Sequence, residues 1–175
     1  MIYAQIEFST KEVVNLELYP DKAKDTVENF VELANKDFWC GSVFHRIIDN
    51  FMIQIGGYYI DGYNLCPMPD TKSIKGEFAQ NGYTNNDIHH ELGVISMART
   101  SDPNSASGQF FLCSADCPWL DGSYAAFGKT TDEASNQVIL NISKAQTYNI
   151  GGGLTDFPVD PIAIVKVRIS YEKFN

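Results

Sequence analysis

The chain opens with two stretches in which apolar and polar residues alternate, residues 2–8 and 11–18, joined at Ser9-Thr10. A period of two sends successive side chains to opposite faces of a pleat, so this opening predicts a β-hairpin with one buried face. The period then changes. Val27, Phe30, Val31 and Ala34 fall on one side of a helix, and Asp25 with Glu28 has the form of a capping box. An amphipathic helix is predicted over 25–36. Residues 42–57 read as two short strands that meet at Asp49-Asn50 and stop at Gly56-Gly57.

Between 56 and 93 periodicity is lost, and Gly62, Pro67, Pro69, Gly76 and Gly82 punctuate the stretch. An ordered connection of this length without elements of its own is uncommon in a compact domain and tends to carry function. It includes the fragment Ile74-Lys75-Gly76-Glu77-Phe78. Apolar strands return at 93–98 and 109–113 around a polar loop at 99–108, and an Asp121-Gly122 turn feeds a further strand towards Gly128. A second helix is predicted over 132–144, with Thr131 as its cap and Ala134, Val138 and Ile142 on its inner face. Gly151-Gly152-Gly153 reads as a flexible loop, and the alternation over 162–169 as a closing strand. About eight strands and two helices in this order predict a mainly β domain over 1–175. The expected form is a closed eight-stranded antiparallel β-barrel capped by two α-helices, since closure leaves no exposed edge.

Composition narrows the function. Hydrophobic residues make up 44% and charged residues 20%, the balance of an ordinary globular domain. A formal charge of −9 argues against nucleic acid and against anionic membrane surfaces, both of which are bound largely through Lys and Arg. No apolar run approaches the roughly 20 residues that cross a bilayer. The N-terminal stretch lacks the basic and apolar regions of a signal peptide. Cysteines at 40, 66, 113 and 117 are too scattered for a disulfide framework, so free thiols and a cytoplasmic home are expected. Cys113, Cys117 and the three histidines lack the paired spacing of a zinc site, and neither a metal nor a cofactor is expected. The triple glycine does not open a helix with a lysine, and no Gly-x-Ser-x-Gly elbow is present.

Two polar residues interrupt the apolar run at 42–57: Arg46 and Gln54. A polar group there must find a partner or face a cleft. From these residues alone, the favoured reading of Arg46 is a solvated edge residue paired with a surface carboxylate. Phe111 and Leu120 read as core, His45 as a satisfied core histidine, and Trp119 as a packing residue. Strand period puts Met52 and Gln54 on one face and Phe51 on the other.

Phe44-His45-Arg46-Ile47-Ile48 followed by Phe51-Met52-Ile53-Gln54 resembles the signature of the cyclophilins, a family of peptidyl-prolyl cis–trans isomerases. The resemblance continues through Ile95-Ser96-Met97-Ala98, Gln109-Phe110-Phe111-Leu112, Trp119-Leu120-Asp121-Gly122 and Phe127-Gly128-Lys129. The loop at 102–107 and Tyr124-Ala125-Ala126 resemble bacterial single-domain members. The resemblance implies that Arg46 is the catalytic residue and that Phe51, Met52, Phe111 and Leu120 form a proline pocket. It implies that Gln54 and Gln109 lie beside the substrate backbone, that Ala98 and Trp119 line the groove, and that Tyr124 replaces a familiar histidine. Asp49-Asn50 stands where Pro-Gly is usual, Ile55 replaces a frequent Gly, Tyr58 stands where a smaller or acidic residue is common, and Arg99 with one extra residue alters the groove loop. The implied partners are proline-containing peptides, unfolded or flexible protein segments and cyclosporin, bound by a monomer. Two other classes compete with the enzyme: a module that binds proline segments without turnover, and a barrel that carries an apolar ligand in an empty lumen.

Overall fold

The computed structural model describes residues 1–175. Strands β1 (Ile2–Phe8) and β2 (Val13–Leu18) form the opening hairpin, paired from Ile2↔Leu18 to Glu7↔Val13. Its alternation is real: Ala4, Ile6, Phe8, Val14, Leu16 and Leu18 are all buried. There follow α1 (Lys24–Asn35), β3 (Ser42–Val43), β4 (Arg46–Ile48) and β5 (Met52–Ile55). Next come β6 (Tyr58–Asp61), β7 (Asn64–Pro67), β8 (Val94–Met97), β9 (Phe110–Cys113) and β10 (Ala126–Thr130). The chain continues through α2 (Glu133–Ser143), β11 (Thr147–Tyr148), β12 (Phe157–Pro158) and β13 (Ile164–Ser170).

Eight strands make one curled antiparallel sheet in the order β13-β1-β2-β10-β8-β9-β5-β4. The sheet is not closed by its own ladder, because β4 does not pair with β13. Loop backbone spans the seam instead. Gly41 N–H donates to Ile164 O (2.8 Å), Phe44 N–H to Ile162 O (3.1 Å) and Ile47 N–H to Asp156 O (3.0 Å). The segment approaching β13 carries Pro158 and Pro161, which lack the N–H that a continuous ladder strand would supply.

Inside the curl, Phe30 of α1 is the hub, with ring centroids 4.7 Å from Trp39, 5.3 Å from Phe127 and 5.6 Å from Phe110. Trp39 is buried, so its indole N–H needs a partner, and it donates to Gly108 O at 2.8 Å. These side chains fill the lumen and leave the apolar-carrier reading without its cavity. No helix is long and apolar enough to cross a membrane.

Two helix starts differ from expectation. The residue before α1 is Ala23, and no side chain of Asp25 or Glu28 caps it. Glu77, from the aperiodic stretch, takes that place: one of its oxygens accepts from the Thr26 backbone N–H and from the Thr26 hydroxyl, each at 2.7 Å. A buried carboxylate is tolerated there because unpaired N–H groups and the positive end of the helix face it. At α2 the cap is Asp132 rather than Thr131, accepting from the Ser135 N–H at 2.7 Å.

The stretch from 56 to 93 also holds a hairpin that alternation does not reveal. β6 and β7 pair from Tyr58↔Pro67 to Asp61↔Asn64, and β3 pairs with β6. Gly62 occupies the first position of its two-residue loop at φ +62, which suits a glycine there. Most of the ribbon lies open to solvent, so no apolar face marks it in the sequence. The Gly151-Gly152-Gly153 loop is likewise bracketed, by the short β11–β12 pair.

Candidate functional site

Strands β4, β5, β9, β8 and β10 lie side by side, and their register sets two rows of side chains across the sheet. In one row Ile47, Ile53, Leu112 and Ile95 are in line, and all four point into the barrel. In the adjacent row Arg46 pairs with Gln54, Gln54 with Phe111, Phe111 with Ser96, and Ser96 with Ala126. This row faces outward, as pleating requires. Met52, Val94, Phe111, Cys113, Cys117, Leu120 and Ala126 form a second apolar cluster there.

A cleft of about 280 Å³ opens above that cluster. Its floor is Met52, Phe111 and Leu120, each at most 7% exposed, and Phe51 and Tyr124 form its walls. The Tyr124 ring meets Phe111 edge-on at 5.9 Å. Phe51 joins this side despite the strand period because it lies in the turn before β5. Asn50 bends the backbone there into the left-handed region, φ +60. Asn tolerates that conformation, so Asp49-Asn50 makes the turn that Pro-Gly would make. Ile55 is wholly buried in the barrel interior, so its extra bulk does not reach the cleft.

Arg46 rises from the edge strand at the cleft rim, with its guanidinium carbon 5.9 Å from the Phe51 ring centroid. It makes no ion pair with any carboxylate. The reading of Arg46 as a surface ion-pair partner therefore fails. Beside it, Gln54 Nε2 donates to Gln109 Oε1 at 2.9 Å, which leaves the Gln54 oxygen and the Gln109 amide N–H groups unused. A Cβ on Gly57 would stand 2.6 Å from the Gln109 amide nitrogen, so the bare backbone there makes room for this pair.

Nine of the ten residues expected at the site line the cleft: Arg46, Phe51, Met52, Gln54, Ala98, Gln109, Phe111, Leu120 and Tyr124. The tenth, Trp119, stands outside it, 62% exposed on a short 3-10 turn with its ring 5.7 Å from Phe51. Sequence reasoning did not place His45, Tyr58, Arg99, Gly153 or Leu154 in the lining. His45 precedes β4, and the Tyr58 ring meets it edge-on at 5.0 Å. Its Nδ1 is buried without a partner, and burial, helped by the neighbouring Arg46 charge, lowers its pKa to about 4. Gly153 and Leu154 arrive through the seam, and nothing local in the sequence marks them.

A buried relay supports the floor. His90 Nδ1 lies 2.9 Å from Asp121 Oδ1, and His90 Nε2 lies 2.9 Å from Ser96 Oγ. The three residue types are those of a hydrolytic triad, yet Ser96 and His90 are at most 2% exposed, so no substrate carbonyl reaches the hydroxyl. The relay is structural: the His90 ring stacks under Phe111 at 6.1 Å, and Asp121 anchors the turn that carries Leu120. Burial pushes the His90 pKa down, against the opposing pull of Asp121. Burial alone would raise Asp121, but bonds from the His90 backbone N–H and from both histidine rings hold it below the usual carboxylate range.

Residues 3–169 match the cyclophilin type peptidyl-prolyl cis-trans isomerase family. A peptidyl-prolyl cis-trans isomerase A of Dickeya dadantii is 37% identical over 161 residues, covering 89% of this chain and 78% of that one. A peptidyl-prolyl cis-trans isomerase-like 1 of Aspergillus niger is 35% identical, covering 90% of this chain and 88% of its own. A cyclophilin type isomerase of Cryptosporidium parvum, crystallised in the presence of the dipeptide Ala-Pro, superimposes with a TM-score of 0.75 over 97% of this chain at 22% identity and shares its fold. On the match over 3–169 and these relatives, the chain belongs to the cyclophilin-type peptidyl-prolyl cis-trans isomerases.

Proposed function

We propose that Arg46 accelerates rotation about X–Pro bonds by holding the twisted amide above an apolar proline pocket. The observation that carries this reading is a guanidinium without a counter-ion at the rim of a cleft floored by Met52, Phe111 and Leu120. Rotation faces a barrier of ~18–20 kcal/mol because the amide nitrogen shares its lone pair with the carbonyl. No bond breaks, so the chemistry needs no nucleophile; it needs groups that bind the twisted amide better than the planar one. Arg46 stays charged and presents fixed donors, to the prolyl carbonyl and to the nitrogen as that atom becomes pyramidal. The pocket holds the ring still while the remainder of the peptide swings. Gln109 N–H and Gln54 oxygen offer a donor and an acceptor that match an extended peptide backbone. A ~10⁵-fold acceleration needs about 7 kcal/mol of differential stabilisation, within reach of one preorganised cation and a dry pocket.

Substrates on this reading are proline-containing peptides and flexible or unfolded segments, whose folding the enzyme assists as a monomer in the cytoplasm. The four free thiols fit that reducing setting. Cyclosporin would occupy the same cleft, with Trp119 at its rim. Arg46→Ala tests the mechanism: kcat/KM for a proline peptide should fall by ~10-fold to 10³-fold, that is about 1.4 kcal/mol or more. Unchanged turnover would refute the role of Arg46. Peptide binding by the wild type without faster exchange in NMR would instead make the protein a binding module.

A further inference from the structure

We propose that Arg99 turns the polar end of the cleft into a receptor for a carboxylate side chain, so that X–Pro segments with Asp or Glu near the proline are preferred substrates. The inference rests on the isomerase reading and adds a substrate class to it.

A second cavity of about 210 Å³ continues from the proline cleft. The two share Gln54, Ala98, Arg99 and Gln109. Beyond the shared wall the second cavity is lined by Thr100, Ser105 and Ser107. The chain carries 22 Asp and Glu against 13 Lys and Arg, yet neither cavity is lined by a carboxylate and the pair contains two guanidiniums. Against an acidic protein this is a local reversal of sign, and a cleft concentrates such a field.

Arg99 is held in place rather than free to sweep. Its guanidinium lies between two rings, with its central carbon 4.6 Å from the Tyr124 centroid and 4.9 Å from that of Phe78. Nε and one terminal nitrogen donate to Ser123 O, at 3.0 and 2.7 Å, and the other terminal nitrogen donates to Thr100 O at 2.9 Å. All these partners are neutral. The charge is therefore uncompensated, and terminal N–H groups remain for a further acceptor. The nearest acidic residue in the loop, Asp102, is engaged locally, accepting from the Asn104 N–H at 2.8 Å, and lines neither cavity. A cation whose position is already fixed loses little freedom on meeting a carboxylate.

The test is a peptide set with Ala, Glu or Lys at each of the two positions on either side of the proline, read by NMR exchange. At one position kcat/KM should be roughly tenfold higher for Glu than for Lys in dilute buffer. That ratio should shrink towards about two near 0.5 M salt. In Arg99→Gln it should fall to about one, and in Arg99→Lys, which keeps the charge but loses the stacking and the fork that fix it, it should take an intermediate value. Because each ratio is taken within one variant, a general loss of activity cancels. If Arg99→Gln does not fold, the Arg99 Nε–H resonance of the wild type serves: it should shift on titration with the Glu peptide and stay put with the Lys peptide. Ratios below twofold at every position, a preference that survives Arg99→Gln, or an unmoved Nε–H would each overturn the proposal. Turnover of the Ala peptide judges the isomerase reading separately. Should every peptide go unturned, that reading fails, while the relative affinities of the Glu and Lys peptides still decide the fate of Arg99.

Discussion

Phe110 and Phe111 are neighbours in the chain, both essentially buried, and they belong to different worlds. Phe110 points inward against Trp39 and Phe30, in a cluster enclosed on every side. Phe111 points outward into the smaller cluster, where the turn at 118–120 and the relay through His90 cover part of it and the rest forms the cleft floor. The same strands serve both clusters by alternation. One face holds the fold together; the other is a core left incomplete, and on our proposal the missing cover is where a proline ring fits.

This contrast can be broken by substitution. Phe110→Ala should cost about 3–5 kcal/mol in urea unfolding, because the enclosed interior cannot collapse into the void. Phe111→Ala should cost less, about 2 kcal/mol, while lowering kcat/KM by ~100-fold, since its cavity opens to water and the floor is lost. Equal stability losses with equal activity losses would erase the distinction.

Acid sharpens it next. His45 has its pKa lowered from 6.5 to about 4 in the fold, so between those values the unfolded chain binds the extra proton and the folded one does not. Stability from this group is complete above pH 6.5, declines as pH falls and is gone below about 4, a total of about 3 kcal/mol. His90, also lowered by burial, adds in the same direction. His45→Gln should flatten the pH dependence of unfolding in that window, and an unaltered slope would count against the buried neutral imidazole. The smallest effect concerns position alone. Gly57→Ala should displace the Gln109 side chain and lower kcat/KM about threefold, with stability changed by less than about 0.5 kcal/mol.

Much of this was legible in the sequence because the relevant signals are local. Alternation located β1, β2 and β13, helical periodicity located α1 and α2, and the motif resemblance brought Arg46, Gln54, Gln109 and Phe111 to one place. What stayed hidden depends on distant partners. Glu77 caps α1 across 51 residues, so Asp25 and Glu28 offered a nearer and mistaken explanation. Phe51 escapes the strand period because the turn at Asn50 redirects it. The β6–β7 ribbon buries too little to imprint a pattern, and Gly153 and Leu154 enter the cleft only because the seam is sewn by loops. Arg99 looked like a variation in a loop until Phe78 and Tyr124 closed over it.

The pairing of β1 with β13, from Tyr3↔Ser170 to Phe8↔Ile164, has a consequence for biosynthesis. The strand at 2–8 must wait until residues 164–170 have been made, so the barrel cannot take its final form before then. Until then one edge of β1 is an open template, and contacts so far apart in sequence close slowly. Ribosome-stalled chains that lack residues 164–170 should accordingly remain open to protease, while full-length chains released from the ribosome become resistant. A chain of the isomerase family has, in its own outermost pairing, one of the slowest of its contacts to complete.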